Sequence, residues 1–347
     1  MRFDRAGYAA LRLHVSQVLI GRLFGTSRPV RYLACEDPAS GNFEVLSTFD
    51  QSRAELPKPG PPFFASKLVP KSAIYRLPEA LIDGATSYIY DQDNRLIGDA
   101  ISYAVSTALI DRPAKPLRPK RLVDEGDFLY LGVQGYYHWL LEDFPAYLQA
   151  RLVAPNATTL IRQRSPRFVT DALELLDQPF VYMPISARVS SLVFASKGIL
   201  ALPNSVDVET LRAFCDDLNL SPIEARKVYI SRRDSGRMPI NEDDVEALMS
   251  ARGYRVVQLT GLPLGEQMTI FRNAHRIVGT HGAGLANLAW SLPELTKFLE
   301  IRREGQLLCF EWLARTAGIE YAALTSPEHG PWNVNLDDLA AALDAME

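Results

Sequence analysis

Arg276-Ile-Val-Gly-Thr-His-Gly-Ala-Gly-Leu-Ala-Asn287 is the stretch from which the rest of the chain is read. A short apolar run leads into a glycine-rich turn and then into residues suited to opening a helix, the order of strand, anion-binding corner and helix N-terminus. The first N–H groups of a helix have no partner within it, so at such a corner they can donate to an anion. Gly282 and Gly284 let the main chain come close to a ligand, and His281 adds a side-chain donor. A phosphate or diphosphate is the natural guest. The run is not the dinucleotide fingerprint, because Asn287 stands where a third glycine belongs, and it lacks the Gly-Lys-Ser/Thr ending of a Walker sequence.

Outward from this loop, strand and helix patterns alternate. Helices are expected at Glu242 to Ala251, Leu264 to Asn273, Gln306 to Ala317 and Leu336 to Met346, and strands at Lys227 to Ser231, Tyr254 to Leu259, Arg276 to Gly279 and Thr296 to Ile301. Such alternation argues for a parallel sheet covered on both faces, whose ligands bind beyond the carboxyl ends of the strands. The strand at 227–231 runs straight into Arg232, Arg233 and Arg237. Guanidinium forks there suit phosphate oxygens; a solvated basic turn paired with Asp234, Glu242 or Asp243 is the alternative. Two anion-receptive strand ends in one domain point to a single diphosphate site.

The N-terminal half reads differently. Residues 29–110 carry short β-type runs, among them a hairpin over Ser87 to Ile97 with its turn at Asp91 to Asn94, and Pro-rich stretches at 56–70 and 111–119. Asp91-Gln-Asp93 has the look of an acidic triplet that holds a metal–nucleotide complex, but its place in a hairpin turn favours a structural role. An apolar strand over Asp127 to Gly132 is followed by Gly135-Tyr-Tyr-His-Trp-Leu-Leu-Glu-Asp-Phe-Pro-Ala-Tyr147. His138 is a candidate proton acceptor, since histidine ordinarily titrates near neutrality, and Glu142 or Asp143 is close enough to orient it. Tyr136, Tyr137 and Trp139 could stack on sugar faces; a core histidine among core aromatics is the alternative. Short strands are expected around Leu160-Ile161, Phe180 to Met183 and Val189 to Ala195, and an amphipathic helix at Asp207 to Leu220.

The bulk numbers narrow the field. At 347 residues the chain suits two domains, and a net charge of −4 carries no basic footprint for nucleic acid. Cys35, Cys215 and Cys309 lie far apart, which fits reduced thiols in a cytoplasmic protein. No His, Cys, Asp and Glu set has zinc or magnesium spacing, so a site without metal or cofactor is expected. No run is long and apolar enough for a membrane span. Leu11, Val15, Val18, Leu19 and Leu23 follow helical spacing among arginines, so residues 1–28 form an amphipathic helix that either packs on its own domain or makes peripheral contact with the inner face of a membrane. The expected division is 1–28 for that helix, 29–215 for an N-terminal lobe with its β-rich portion, and 216–347 for a C-terminal lobe.

Taken together, Tyr137-His-Trp-Leu-Leu-Glu-Asp-Phe-Pro145, Val228-Tyr-Ile-Ser-Arg-Arg233 with Asn241-Glu242, Glu266-Gln267, Ala274 and Ile277 to Asn287 resemble, in order and spacing, the family 61 glycosyltransferases, a group that includes capsular-polysaccharide biosynthesis proteins. The resemblance implies a GT-B-like α/β architecture, two Rossmann-like lobes facing a cleft, with the acceptor glycan in the N-terminal lobe and a nucleotide-diphosphate sugar in the C-terminal lobe. It also implies inverting, metal-independent transfer. On that mapping Arg232 and the N–H groups of Gly282, Ala283 and Gly284 take the donor diphosphate, His281 and Asn287 contact phosphate or sugar, Gln267 and Glu300 help with the nucleoside, and Arg237 and Asn241 are lesser donor contacts. His138, helped by Glu142 or Asp143, is the candidate base. A non-catalytic sugar-nucleotide-binding scaffold of polysaccharide assembly would keep the same donor residues without turnover. Oligomeric state is not legible.

Overall fold

A computed structural model of the chain describes residues 32–33, 43–49, 73–97, 100, 120–122, 125–197, 203–218, 220, 226–327 and 331–347. The expected amphipathic helix over 1–28 and the Pro-rich stretches at 56–70 and 111–119 lie outside the described residues. The chain divides into two units, one ending at Asp207 and the other starting at Val208.

The first unit contains β1 (Tyr32–Leu33), β2 (Glu44–Thr48), β3 (Ala73–Pro78), β4 (Leu81–Asp83), β5 (Tyr88–Tyr90), β6 (Leu96–Ile97), β7 (Lys120–Arg121) and β8 (Asp127–Leu131). After β8 come a single turn α1 (Tyr136–His138), a π-helical turn (Trp139–Asp143) and α2 (Phe144–Val153). Then follow β9 (Thr158–Arg162), α3 (Arg167–Leu175), β10 (Phe180–Met183), β11 (Ser186–Arg188) and β12 (Ser191–Ala195); α4 (Ser205–Asp216) carries the division between the units.

One sheet runs β10-β9-β8-β12-β3-β2. Its first four strands are parallel, and β3 and β2 add antiparallel strands at one edge. Thr159, Leu160 and Ile161 are all buried, as expected for a parallel strand covered on both faces. The second sheet, β1-β6-β5-β4-β11-β7, packs Ile82, Ile89 and Ala187 into the same apolar cluster as Phe128, Leu160 and Leu192. The hairpin read at Ser87 to Ile97 is β5 and β6. Its turn is closed by Asn94 N–H donating to the Asp91 carbonyl (3.0 Å), and Asp91 takes the Arg95 guanidinium (2.6 Å) and backbone N–H (2.7 Å). The Asp91-Gln-Asp93 triplet is therefore a turn clasp.

The second unit has β13 (Lys227–Ile230), α5 (Glu242–Ala251), β14 (Arg255–Val257), α6 (Leu264–Asn273), β15 (Arg276–Thr280), a 3₁₀ helix (Ala283–Trp290), β16 (Lys297–Arg303), α7 (Cys309–Thr316), β17 (Glu320–Ser326) and α8 (Leu336–Met346). All five strands are parallel in the order β14-β13-β15-β16-β17. The chain moves outward from β13 to β14, then returns to lay β15 on the other side of β13. At such a reversal two neighbouring strands send their following loops to opposite faces, and a crevice opens at their carboxyl ends. Ser231 and His281 follow the adjacent ends of β13 and β15 at that reversal. The sequence pattern misses β17, whose Glu-Tyr-Ala-Ala-Leu-Thr-Ser run lacks both alternation and a β-branched core.

Candidate functional site

In the second unit, β13 and β15 end side by side, with Ile230 paired to Gly279. Arg232 leaves the first strand and lays its guanidinium over Gly282 at the end of the second. Any Cβ at Gly282 would fall inside that guanidinium, so only glycine permits the approach. Arg232 Nε is buried with no hydrogen-bond partner. An orphaned buried guanidinium N–H is costly unless a ligand completes it. Burial first, and then the charge of Arg237, lower the Arg232 pKa from the ordinary arginine value, the sign of a cation without a carboxylate of its own.

The carboxylate beneath Arg232 is committed elsewhere. Glu242, 1% exposed, accepts from the Tyr229 hydroxyl (3.0 and 3.1 Å) and from Arg232 N–H (2.9 Å), which fixes the turn that carries the arginine. The alternative reading of this segment was a solvated basic turn paired with Asp234, Glu242 or Asp243. That description fits Arg233 instead, which is exposed and bound to Asp243 and to Glu246 (2.8 Å).

After β15 the backbone turns at Gly282 and enters the 3₁₀ helix. Leu285 N–H closes on the Gly282 carbonyl (2.9 Å), while the N–H groups of Gly282, Ala283 and Gly284 make no backbone hydrogen bond. A Cβ at Gly284 would stand 2.8 Å from the end of the Leu259 side chain, which would have to move aside. Behind the loop, Asn287 donates to the Gly284 carbonyl (2.9 Å) and to Gln267 (3.2 Å) and accepts from Trp290 Nε1 (3.0 Å). Gln267 donates in turn to the Leu262 carbonyl (3.0 Å). Both amides are buried, so they brace the loop from the protein side. Asn241 is likewise a brace: it donates to the Val334 carbonyl and accepts from Val334 N–H, both at 2.9 Å. Arg237 is exposed nearby.

His281 donates Nδ1–H to Glu300 Oε1 (2.6 Å), which leaves Nε2 for a ligand, and its ring meets Phe310 edge-on at 4.9 Å. Glu300 is fully buried, and its other oxygen accepts from the Tyr321 hydroxyl (2.7 Å) with Arg302 at 4.0 Å. The nucleoside contact expected of Glu300 is thus corrected: neither oxygen is presented outward, and its effect runs through His281. Tyr321, on the strand that the pattern misses, had no sequence signal. Burial and the Glu300 charge raise its pKa, so it remains a neutral donor.

In the first unit, β8 delivers His138. His138 Nδ1–H donates to Glu142 Oε1 (2.5 Å), and Glu142 is 4% exposed. Asp143 faces the other way. Its Oδ2 accepts from Gly132 N–H (3.0 Å) and Val133 N–H (3.1 Å), and its Oδ1 is bound by Lys197. Of the two carboxylates expected to help the histidine, Glu142 does so and Asp143 tethers the strand end. The sugar-stacking role of Trp139 is corrected as well. It is fully buried, stacked on Phe144 at 4.9 Å and against Phe168 at 4.7 Å, as core. Tyr136 and Tyr137 remain half-exposed, the first against Trp139 and Phe168 and the second against His138.

Among the described residues, no group of three or more His, Cys, Asp or Glu side chains is placed to hold a metal ion, and no helix is long and apolar enough to cross a membrane.

Residues 136–299 match the model of the family described as glycosyltransferase 61, a span that includes His138, Arg232 and the 281–287 loop. The EGF domain-specific O-linked N-acetylglucosamine transferase of Drosophila melanogaster is 35% identical over 99 residues, 28% of this chain. The chain matches about a fifth (19%) of that relative's length. Two solved structures of the heptosyltransferase TibC are similar at low identity. The complex of the dodecameric iron-containing enzyme with ADP-D-beta-D-heptose is 14% identical with a TM-score of 0.31, over 75% of this chain and 81% of that one. The enzyme from enterotoxigenic E. coli H10407 is 15% identical with a TM-score of 0.29, over 67% and 75%.

Proposed function

We propose that this protein is an inverting glycosyltransferase that moves a sugar from a nucleotide-diphosphate donor to a glycan acceptor, using no divalent cation. In this reading the second unit is the donor half and the first the acceptor half of a GT-B enzyme. The observation that carries it is the Arg232 guanidinium lying over Gly282, its Nε without a partner, beside three N–H groups that are unpaired among the described residues. The family match over both candidate segments supports the reaction class.

A sugar–diphosphate bond breaks as negative charge builds on the departing oxygens, and preorganised donors aimed at that charge lower the barrier. Arg232, the amides of 282–284 and His281, held by Glu300, are suited to that task without reorganising. The acceptor hydroxyl loses its proton to His138 Nε2 as its oxygen attacks the anomeric carbon, the diphosphate leaves from the opposite face, and a single displacement inverts the centre. Glu142 holds the ring through Nδ1 and stabilises the imidazolium that forms.

The test is a thermal-shift panel of nucleoside diphosphates followed by turnover with matched nucleotide sugars. At least one diphosphate should raise the melting temperature, as any ligand selective for the folded state must. Arg232→Ala should abolish the shift, and chelator should leave turnover unchanged with an inverted anomeric product by NMR. No shift with any nucleoside diphosphate overturns the donor site. A shift without turnover on any acceptor marks a binding scaffold instead of an enzyme.

A further inference from the structure

The first unit holds a second feature at its strand ends. A cavity of about 350 Å³ opens beyond the carboxyl ends of β9 and β10, lined by Arg162, Gln163 and Arg164 on one side and Met183 and Ile185 on the other, with Gly84 between them. Gly84 donates its N–H to the Ile185 carbonyl (2.8 Å), and a Cβ there would stand 3.1 Å from that oxygen, so the wall is closed on a glycine. The volume is in the range of small-ligand sites, and the carboxyl edge of parallel strands is where such sheets bind them.

Its charge is one-sided. No acid lines it, and the lining arginines make no ion pair with any carboxylate among the described residues. Among the described residues Arg162 donates to two carbonyl oxygens, those of Gly132 (3.4 Å) and Ala85 (3.3 Å), and to no carboxylate. The acid adjacent in sequence, Asp83, is buried and accepts from Ala85 N–H (3.0 Å) and the Thr86 hydroxyl (2.7 Å). Exposed Ile185 and buried Met183 supply an apolar face opposite the cations.

The cavity is also tied to the turn that carries His138. Arg162 binds the carbonyl at the end of β8, and Gln134 in the following loop donates to the Arg164 carbonyl (3.3 Å). Cations facing an apolar wall suit an anionic sugar, whose ring lies on the aliphatic side while its oxyanion takes the guanidinium groups.

We propose that this cavity is an acceptor subsite for an acidic glycan, one whose sugar carries a carboxylate or phosphate held by Arg162 and Arg164. The inference rests on the glycosyl-transfer reading and names its acceptor class.

The test is calorimetric titration of the full chain with a glucuronate-containing oligosaccharide, glucose 6-phosphate, a neutral glucose oligosaccharide and inorganic phosphate. One acidic sugar should bind about tenfold or more tightly than the neutral one, weakening with salt, and Arg164→Gln should remove that preference. Arg164 is the decisive variant because it is exposed and its guanidinium makes no backbone hydrogen bond among the described residues; Arg162→Gln repeats the test with folding checked by circular dichroism. Equal affinity for acidic and neutral sugars, no binding of either, inorganic phosphate binding as tightly as the best acidic sugar, or an unchanged Arg164→Gln overturns the subsite. Nucleoside diphosphate titrated into the same samples separates the two readings. If it binds while acidic sugars do not, the subsite alone fails; if it does not bind while they do, the donor reading fails and the acidic-sugar site stands.

Discussion

His138, Glu142 and Asp143 lie within one helical segment, yet one carboxylate serves the histidine and the other the backbone. Removing a general base typically costs about 10²–10⁴-fold in rate. His138→Ala should show a loss of that size in kcat while nucleoside diphosphate still shifts the melting temperature; near-normal turnover removes the base role. Glu142→Gln keeps a hydrogen-bond partner but loses the countercharge, and should lower kcat while nucleoside diphosphate still shifts the melting temperature. Asp143→Ala should act on stability instead. It leaves the largely covered Lys197 without its partner and two buried N–H groups without an acceptor, and breaking such a pair typically costs about 3–5 kcal/mol, to be read from urea unfolding. The residue types at these positions are legible in the sequence. Which acid meets the histidine is not, because that depends on the pitch of the turn.

The pitch has an identifiable cause. Pro145 sits in the first turn of α2, lacks an N–H, and its ring would crowd the carbonyl four residues back. The chain widens just before it into a π-turn, a form that recurs at functional sites, and Glu142 is carried under His138. Helices α5, α6 and α8 were readable to the residue because apolar periodicity and polar flanks agree over ten residues or more. Strand β17 was not readable, because an edge strand with mostly half-exposed and exposed positions needs no alternation to be held by β16. The strand-to-helix corner at 280–284 was readable from its glycines. The cover that Arg232 forms over one of them was not, because it joins residues 50 positions apart. Gly282 adopts an extended conformation open to any residue, so Gly282→Ala tests approach alone. It should keep the fold by circular dichroism and abolish the nucleoside-diphosphate shift; an undiminished shift would place the ligand away from this corner.

At the scale of the molecule, acid and ligand should act on different units. In the first, Arg76 on β3 reaches across β12 to hold Asp127 on β8 through two hydrogen bonds (3.0 and 2.9 Å), with Ser191 of β12 adding a third (2.6 Å). The Arg76 hydrogen bonds hold the Asp127 carboxyl below the usual carboxylate value. A carboxyl with a depressed folded pKa contributes stability above its unfolded value, about 4, and loses that contribution as pH falls through the folded one. Asp127→Asn should therefore lower stability at neutral pH and flatten the acid side of the stability curve; an unchanged slope below pH 4 removes the clasp from the account. A nucleoside diphosphate at about 100 times its Kd stabilises by about 2.7 kcal/mol, and hydrogen exchange should show the protection concentrated in 228–232 and 279–290.

The bracing of the 281–287 loop by Asn287, Gln267 and Trp290 bears on how donor choice can change. In the proposed donor site, the loop offered to phosphate is braced by hydrogen bonds made within the protein, so its ordering entropy is met during folding. Selectivity for the sugar or the base can then be rewritten at the rim of the crevice, one side chain at a time, while the pyrophosphate anchor stays constant.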